Sequence, residues 1–361
     1  MRIGIDTREL GGHPTGVGRY LAGLLREWAV DERARRHDFV LYAAEPPAIG
    51  IDERFSTRLI RGAGGTWWQQ VQLPKVAAAD RLDVFFAPAY TVPLRLCVPT
   101  VVAIHDVSYL AHPEWFRRRE GLRRRWLTRA SARRARTIVT ISEFSKREIL
   151  DRLRVRESRV HVIPIGIDPP AAARVATADG EPRILYVGSI FNRRRVVDLI
   201  RGAAALARRY PDVTLDIVGD NRTFPHEDIE RAIGISVLAH RARWHRYAGD
   251  DHLRALYLGA RAFAFLSEYE GLGTTPLEAL ACGVPPVVLD TDVARESLGD
   301  AAVFVPFNSD VPAIARALET ALFDQTVRAR VLAAAPAALA KYKWPRAAAE
   351  TLALLESVVN Q

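Results

Sequence analysis

Two carboxylates, Glu270 and Glu278, stand with seven residues between them in "SEYEGLGTTPLEALACGVPPVV" (267–288), and the residues between them are glycine, leucine, threonine and proline. "TTPLEALA" has the grammar of a helix start, with Thr275 as N-cap, Pro276 at the first helical position and Glu278 at the third. That spacing predicts a capping box, in which hydroxyl and carboxylate each satisfy an orphan backbone N–H. The box accounts for Glu278 in purely structural terms, and a ligand-binding role remains open beside it. Glu270 precedes the helix by too many residues to cap it. The glycines and consecutive amides of "EGLGTT" lead from the strand "AFAFLS" onto the positive end of that helix, where a phosphate is attracted. An ionised carboxylate at a strand end in a closing cleft costs on the order of several kcal/mol to desolvate unless polar ligand groups meet it. Sugar or ribose hydroxyls are such groups.

These residues need a scaffold that aims them, and the chain supplies one twice. "RIGID", "FVLYA", "LDVFFAP", "TVVAI" and "TIVTI" read as short buried strands, separated by helical patterns. "GVGRYLAGLLREWAV" puts Tyr20, Leu21, Leu24, Leu25 and Trp28 on one helical face. Periodicity stops at "VIPIGIDPPAAARVATADGEP" and restarts with "RILYVG", "VTLDIVG", "ARWHRY", "RAFAFLS", "VPPVVLD" and "AAVFVP". The alternation predicts an α/β protein with two doubly wound parallel-sheet domains facing a cleft, residues 1–165 and 182–340, joined by a linker over 166–181. A last helix follows in 341–361, with Pro345 in its first turn, and packs on either domain.

The segment "EYEGLGTTPLEALACGVPPVV" resembles the signature of the group 1 (family 4) retaining glycosyltransferases. "IDTRELGGHPTGVGRYLAGLL", "VVAIHDVSYLAHPEWF", "TIVTISEFSKREI", "VHVIPIGID" and "ILYVGSIFNRRRVVDLI" agree with that family in order and spacing, so the resemblance spans nearly the whole chain. The subgroup is similar to bacterial mannosyltransferases of polysaccharide biosynthesis. The resemblance implies a GT-B fold of two Rossmann-like domains, acceptor-side first and nucleotide-sugar-binding second. It implies that Glu278 binds the ribose hydroxyls and Glu270 the donor sugar. The amides of Gly271, Leu272 and Gly273 would contact sugar hydroxyls and those of Thr274 and Thr275 the diphosphate, with Gly16 and Gly188 beside the donor. It further implies transfer of a hexosyl unit, mannosyl from GDP-mannose in the first instance, to a hydroxyl of a glycan or lipid-linked acceptor. Configuration is retained, and no metal or other cofactor takes part.

Arg193 and Arg194 of "GSIFNRRR" follow a strand and a glycine turn. Fixed guanidinium groups in a water-poor cleft stabilise the negative charge of a departing diphosphate and replace a metal there. The family has arginine then lysine at these positions; this chain has two arginines. A solvated basic helix start is the plain alternative. His105 and Asp106 end the strand "TVVAI" at a carboxyl edge. The resemblance puts His105 beside the donor sugar on the acceptor side, and a buried histidine satisfied by backbone is the alternative. The loop "GGHPTGVGRY" matches neither GxGxxG nor the P-loop and reads equally as a structural turn, with Gly16 facing phosphate and His13 less defined. "DTD" at 290–292 resembles a metal-binding DxD but reads as a strand-end turn.

The formal charge is +9, and among 51 basic residues only four are lysine, which favours an anionic partner of unspecified kind. Ten arginines crowd residues 117–136, with Phe116, Leu122, Trp126 and Ala130 at near-helical spacing. A solvated basic face over a core stripe is one reading. The other is peripheral contact with an anionic membrane, to which Trp67 and Trp68 could contribute. Absence of a signal peptide or long apolar run places the chain in the cytoplasm, at the inner membrane face if it docks. A basic nucleic-acid-binding protein and a nicotinamide-dependent oxidoreductase are the rival classes. The first lacks a binding module and the second a GxGxxG turn with its later acidic residue.

Overall fold

The computed structural model describes residues 1–12, 16–47, 50–168 and 181–359. Most of the predicted linker, 169–180, and His13 lie outside the described residues. The chain divides into two compact units: Met1–Pro113, Arg118–Gly166 and Tyr342–Gln361 form the first, and Glu114–Arg117 with Ile167–Lys341 the second.

In the first unit, strands β1 (Arg2–Asp6), β2 (Asp38–Ala43), β3 (Ser56–Leu59), β4 (Val84–Ala87), β5 (Thr100–Ala103), β6 (Thr137–Thr140) and β7 (Val160–Val162) form one sheet in the order β3-β2-β1-β4-β5-β6-β7. Every pairing is parallel. In the second, β8 (Arg183–Val187), β9 (Thr214–Val218), β10 (Ala242–His245), β11 (Ala262–Phe265), β12 (Pro286–Leu289) and β13 (Val303–Val305) run parallel in the order β10-β9-β8-β11-β12-β13. The central strands are buried on both faces, which is why they read as unbroken apolar runs. The edge strands β3 and β7 were absent from the sequence reading. β3 is exposed along its whole length and β7 has three residues, so neither carries an apolar run.

Each sheet reverses its winding once, between β1 and β4 and between β8 and β11. At such a switch point the loops leaving neighbouring strands diverge to opposite faces and open a crevice. In the second unit those loops carry Arg193, Arg194 and Glu270.

The helix Gly16–Val30 buries Tyr20, Leu21, Leu24, Leu25 and Trp28 as its periodicity predicts. Trp28 Nε1 donates to the Ala348 carbonyl at 3.0 Å, tying in the C-terminal helix Trp344–Val359, whose second residue is Pro345. Trp344 lies flat over Gly23 and Gly166, where added Cβ atoms would come within 2.4 and 2.2 Å of its ring. Neither glycine admits a side chain.

One expectation is overturned. In the helix Arg118–Arg134 the stripe through Leu122 and Trp126 is not core: these residues are 60% and 63% exposed. The helix instead turns Gly121, Leu127, Thr128, Ser131 and Ala132 inward. Arg119 and Arg123 share the Leu122–Trp126 face and are exposed with it. Burying that face would desolvate both guanidiniums, whereas the small residues opposite pack closely without doing so. The two neighbouring tryptophans also separate, Trp68 at 1% and Trp67 at 69% exposure.

Candidate functional site

The loop leaving β8 begins at Gly188, whose φ of +147° lies where side chains are strained, and a Cβ there would come 2.6 Å from Arg194 Nη1. The following turn is tighter than a helix start, a 3-10 turn over Asn192–Arg194, and it aims both arginines at the loop leaving β11. Arg194 Nε donates to Glu270 Oε1 at 2.7 Å. Its Nη1 donates to the Ser189 carbonyl at 2.8 Å, and its guanidinium lies 4.9 Å from the centroid of Phe265. Ser267 Oγ donates to the same Glu270 oxygen at 2.8 Å. Both partners of the ion pair are largely buried, with side chains 13% and 16% exposed.

Burial alone would raise the Glu270 pKa, but the Arg194 and Arg193 guanidiniums and the bonds from Arg194 and Ser267 hold it below the ordinary carboxylate range. Burial works against the Arg194 cation too, and Glu270 outweighs it, so the guanidinium is held above its usual pKa. Arg193 Nε donates to the Tyr269 carbonyl at 3.3 Å, and its guanidinium lies over Phe191 at 4.4 Å and Trp115 at 5.7 Å. The Glu268 amide in turn donates to the Arg193 carbonyl at 2.9 Å. The two switch-point loops are therefore stitched together by main chain and side chain alike.

The capping box is not formed. Gly273, at φ +80°, takes the N-cap position with no side-chain bond, and the helix runs Thr274–Ala281. Because the helix begins two residues earlier than its grammar suggests, Thr275 lies inside the first turn, out of reach of the amide it was expected to cap. Its Oγ1 is buried without a hydrogen-bond partner. Glu278 lies one turn further on and its Oε2 accepts from the Tyr257 hydroxyl at 2.8 Å. First-turn amides of a helix have no intrahelical acceptor. Together with the orphan Thr275 hydroxyl they form a donor-rich, electropositive terminus flanked by Glu270 and Glu278. Gly271 and Leu272 complete the turn into it, with the Leu272 side chain buried.

Gly16, His105 and Asp106 belong to the first unit, at the carboxyl edge of its sheet. Gly16 opens its helix, and a Cβ there meets nothing within 4 Å. One turn on, the Tyr20 ring meets His105 edge-on at 4.8 Å, and Tyr90 meets it from another side at 5.7 Å. His105 Nε2 lies 2.9 Å from the Pro88 carbonyl. A carbonyl only accepts, so Nε2 carries the proton. Burial pushes the His105 pKa down, with the Pro88 bond and Asp106 opposing, and the ring is a neutral imidazole at pH 7. Asp106 accepts from the Ser108 amide at 2.8 Å and the Tyr90 hydroxyl at 3.0 Å. Tyr90 itself sits at φ +61°, uncommon for a residue with a side chain.

Sequence reasoning missed Ser267, Tyr257 and Tyr90. Ser267 had a signal, a polar residue closing an apolar strand three positions before Glu270. Tyr257 and Tyr90 had none, since each meets its carboxylate only through the fold. The "DTD" residues close β12 and enter a helix: Thr291 caps Asp292–Leu298 through the Ala294 amide, and Asp290 is paired to Arg295 through both oxygens, at 2.7 and 2.6 Å. Among the described residues no cluster of three or more His, Cys, Asp or Glu is placed to hold a metal ion.

Comparison with known proteins places the chain in a family. Residues 170–337 match the family described as glycosyl transferases group 1, and residues 14–170 match glycosyltransferase family 4. The O-antigen chain mannosyltransferase B of Escherichia coli is 27% identical, covering 98% of each chain. The alpha-D-kanosaminyltransferase of Streptomyces kanamyceticus is 30% identical over 68% of this chain and 67% of its own. Among solved structures, Anabaena Alr3699/HepE in complex with UDP and glucose superposes with a TM-score of 0.76 at 18% identity, over 99% of this chain and 100% of that one. WaaG, a glycosyltransferase of lipopolysaccharide biosynthesis, gives 0.75 at 16% identity over 97% and 99%. At these identities the structural likeness speaks for fold alone. Neither a nucleic-acid-binding nor a nicotinamide-dependent class appears among these matches. The chain belongs to the group 1, family 4 glycosyltransferases, enzymes of the GT-B fold class with two Rossmann-like parallel-sheet domains.

Proposed function

We propose that the enzyme moves a hexosyl unit, mannosyl in the first instance, from a nucleotide diphosphate sugar to a hydroxyl of a glycan or lipid-linked acceptor, retaining configuration and using no metal. The observation that carries this reading is the helix terminus at Thr274–Ala281, with a buried hydroxyl lacking any partner and a half-buried carboxylate on either flank. The mannosyl choice rests on relatives named as mannosyltransferases. The diphosphate meets the first-turn amides and Thr275, Glu278 takes the ribose hydroxyls, and Glu270 orients the sugar and stabilises its oxocarbenium-like charge. As the bond from C1 to the diphosphate oxygen breaks, its electron pair stays with the diphosphate, where Arg193 and Arg194 stabilise it. The acceptor oxygen bonds to C1 on the same face, and its proton passes to the departing phosphate oxygen. His105 and Asp106 serve the acceptor side. Thermal-shift screening against GDP-, UDP-, ADP- and dTDP-sugars in EDTA tests donor and metal together, because a ligand bound only by the folded state raises Tm. Stabilisation by none of them, or turnover that stops in EDTA, overturns the reading.

Thr275→Val separates ligand binding from fold. An unsatisfied buried hydroxyl costs about 1–3 kcal/mol, so the valine enzyme is expected to melt higher than wild type when free. A lost bond to an anionic phosphate is expected to raise the donor KM about tenfold. Measured Tm and KM moving in these opposite directions check the assignment.

A second contact, with an anionic membrane, is supported by Leu122 and Trp126, exposed on a helix face shared with arginines. Apolar side chains framed by guanidiniums suit the boundary of an acidic bilayer, where each basic residue contributes about 1 kcal/mol. No helix among the described residues is long and apolar enough to cross a membrane. Co-sedimentation with phosphatidylglycerol vesicles is expected to fall at least fivefold in Leu122→Ala/Trp126→Ala and to be negligible on phosphatidylcholine. Equal binding by the variant removes this face from consideration.

A further inference from the structure

Glu278 is held by a residue far outside its own segment. Tyr257, in the helix Asp250–Gly259, is 4% exposed. Its ring stacks on Phe263 of β11 with centroids 5.8 Å apart and planes 27° apart, and Phe263 is itself fully buried. A ring clamped in this way has one direction for its hydroxyl, and that direction ends on Glu278 Oε2 at 2.8 Å.

We infer that Tyr257 is a positioning residue for nucleotide recognition: its hydroxyl fixes one oxygen of Glu278 and thereby sets the plane in which the carboxylate meets the two vicinal hydroxyls of a ribose. The inference rests on the assignment of Glu278 to the ribose made above. A glutamate side chain has three rotatable bonds, and accepting from two hydroxyls at once requires one rotamer among many. A hydrogen bond from a neutral phenol selects that rotamer without cancelling the charge that attracts the hydroxyls. The arrangement resembles the support that orients ligating side chains elsewhere, where outer partners matter nearly as much as the contact residue.

The test uses calorimetric binding of GDP and UDP, whichever is tighter, and of the matching 2′,3′-dideoxynucleoside diphosphate, to wild type, Tyr257→Phe, Glu278→Gln and the double variant. Tyr257→Phe removes a single oxygen and keeps the ring stack. It is expected to weaken the ribonucleotide five- to tenfold while leaving the dideoxy analogue within twofold of wild type, and to raise the donor KM rather than lower kcat. The double variant is expected to bind like Glu278→Gln alone, since the tyrosine acts only through the carboxylate. Equal weakening of both nucleotides by Tyr257→Phe, or no weakening of the ribonucleotide, overturns the inference while the ribose assignment stands. Failure of Glu278→Gln to distinguish ribonucleotide from dideoxy analogue overturns the assignment, and the inference with it.

Discussion

Glu270→Gln is expected to lower turnover by about a hundredfold or more while the protein still folds and binds donor. The amide keeps the shape of the carboxylate and can still accept from Ser267, so what is lost is charge, which under the proposed role of Glu270 stands where positive charge develops on the sugar. Removing one such group commonly costs about 10²–10³ in kcat. A stability signature accompanies the kinetic one. Arg194 lies in a largely buried pair, so removal of its counter-charge leaves a cation that the interior does not solvate. Breaking such a pair costs about 3 kcal/mol at the lower end, or about 6–12 °C in Tm for a unit of this size. A nucleoside diphosphate brings negative charge back to the guanidinium, so GDP or UDP is expected to restore more Tm to the variant than it adds to wild type. The pH dependence has a definite sign. Glu270 titrates below the ordinary carboxylate range in the folded protein, so its contribution is present above the unfolded carboxylate pKa and is lost as pH falls through the folded one. Between about pH 5 and 3 the Tm of wild type is therefore expected to fall more steeply than that of Glu270→Gln. Near-full turnover by the glutamine enzyme ends the assignment of Glu270 to catalysis.

Much of the fold was legible because central parallel strands announce themselves. "AFAF" and "TVVA" are apolar at every position, since helices cover both faces. The edge strands β3 and β7 were not legible, because an edge position lifts the demand for apolar residues on one side. The same limit applied to the helix Arg118–Arg134. Spacing there identified a helix and a stripe, but direction depended on which face the sheet accepts, and it accepts the small residues. At the site, Glu270 and the paired arginines could be named from residue type beside glycine turns at strand ends. Their mutual contact could not, because the arginines and the carboxylate lie about 76 positions apart in the chain and meet only where β8 and β11 adjoin. The helix terminus shows the reverse failure. "TTPLE" satisfied a local rule, and Gly273 in a left-handed conformation displaced the start by two residues. A hydroxyl that the local rule would have consumed was thereby left without a partner in the chain. Local rules tend to break where a site needs a group unsatisfied.

Arg194→Met is expected to be the other severe change, and it should alter how the enzyme responds to pH. Methionine fills part of the space between Phe191 and Phe265 that the guanidinium occupies, but it returns neither the bond to the Ser189 carbonyl nor the charge beside Glu270. Loss of a fixed cation opposite a departing diphosphate alone is expected to cost about 10²–10³ in kcat. Glu270 then faces burial with Arg193 as its remaining cationic neighbour, and burial is the largest influence on it. Its pKa rises, the reverse of wild type. A carboxyl with a raised folded-state pKa loses stability as pH climbs past the unfolded value, so the variant is expected to melt higher at pH 5 than at pH 8 relative to wild type. Its residual turnover is expected to increase with pH through the new pKa, because only the ionised carboxylate stabilises the sugar cation, while wild type shows no such limb above pH 5. Arg194→Lys separates the two contributions. An ammonium restores charge beside Glu270 and should abolish the pH-dependent limb, but it lacks the planar fork that reaches the Ser189 carbonyl and the carboxylate together. Turnover is accordingly expected to recover only part of the way. A lysine enzyme as active as wild type would show that charge alone matters at this position, and a methionine enzyme with an unchanged pH profile would show that Glu270 owes its ionisation to something other than Arg194.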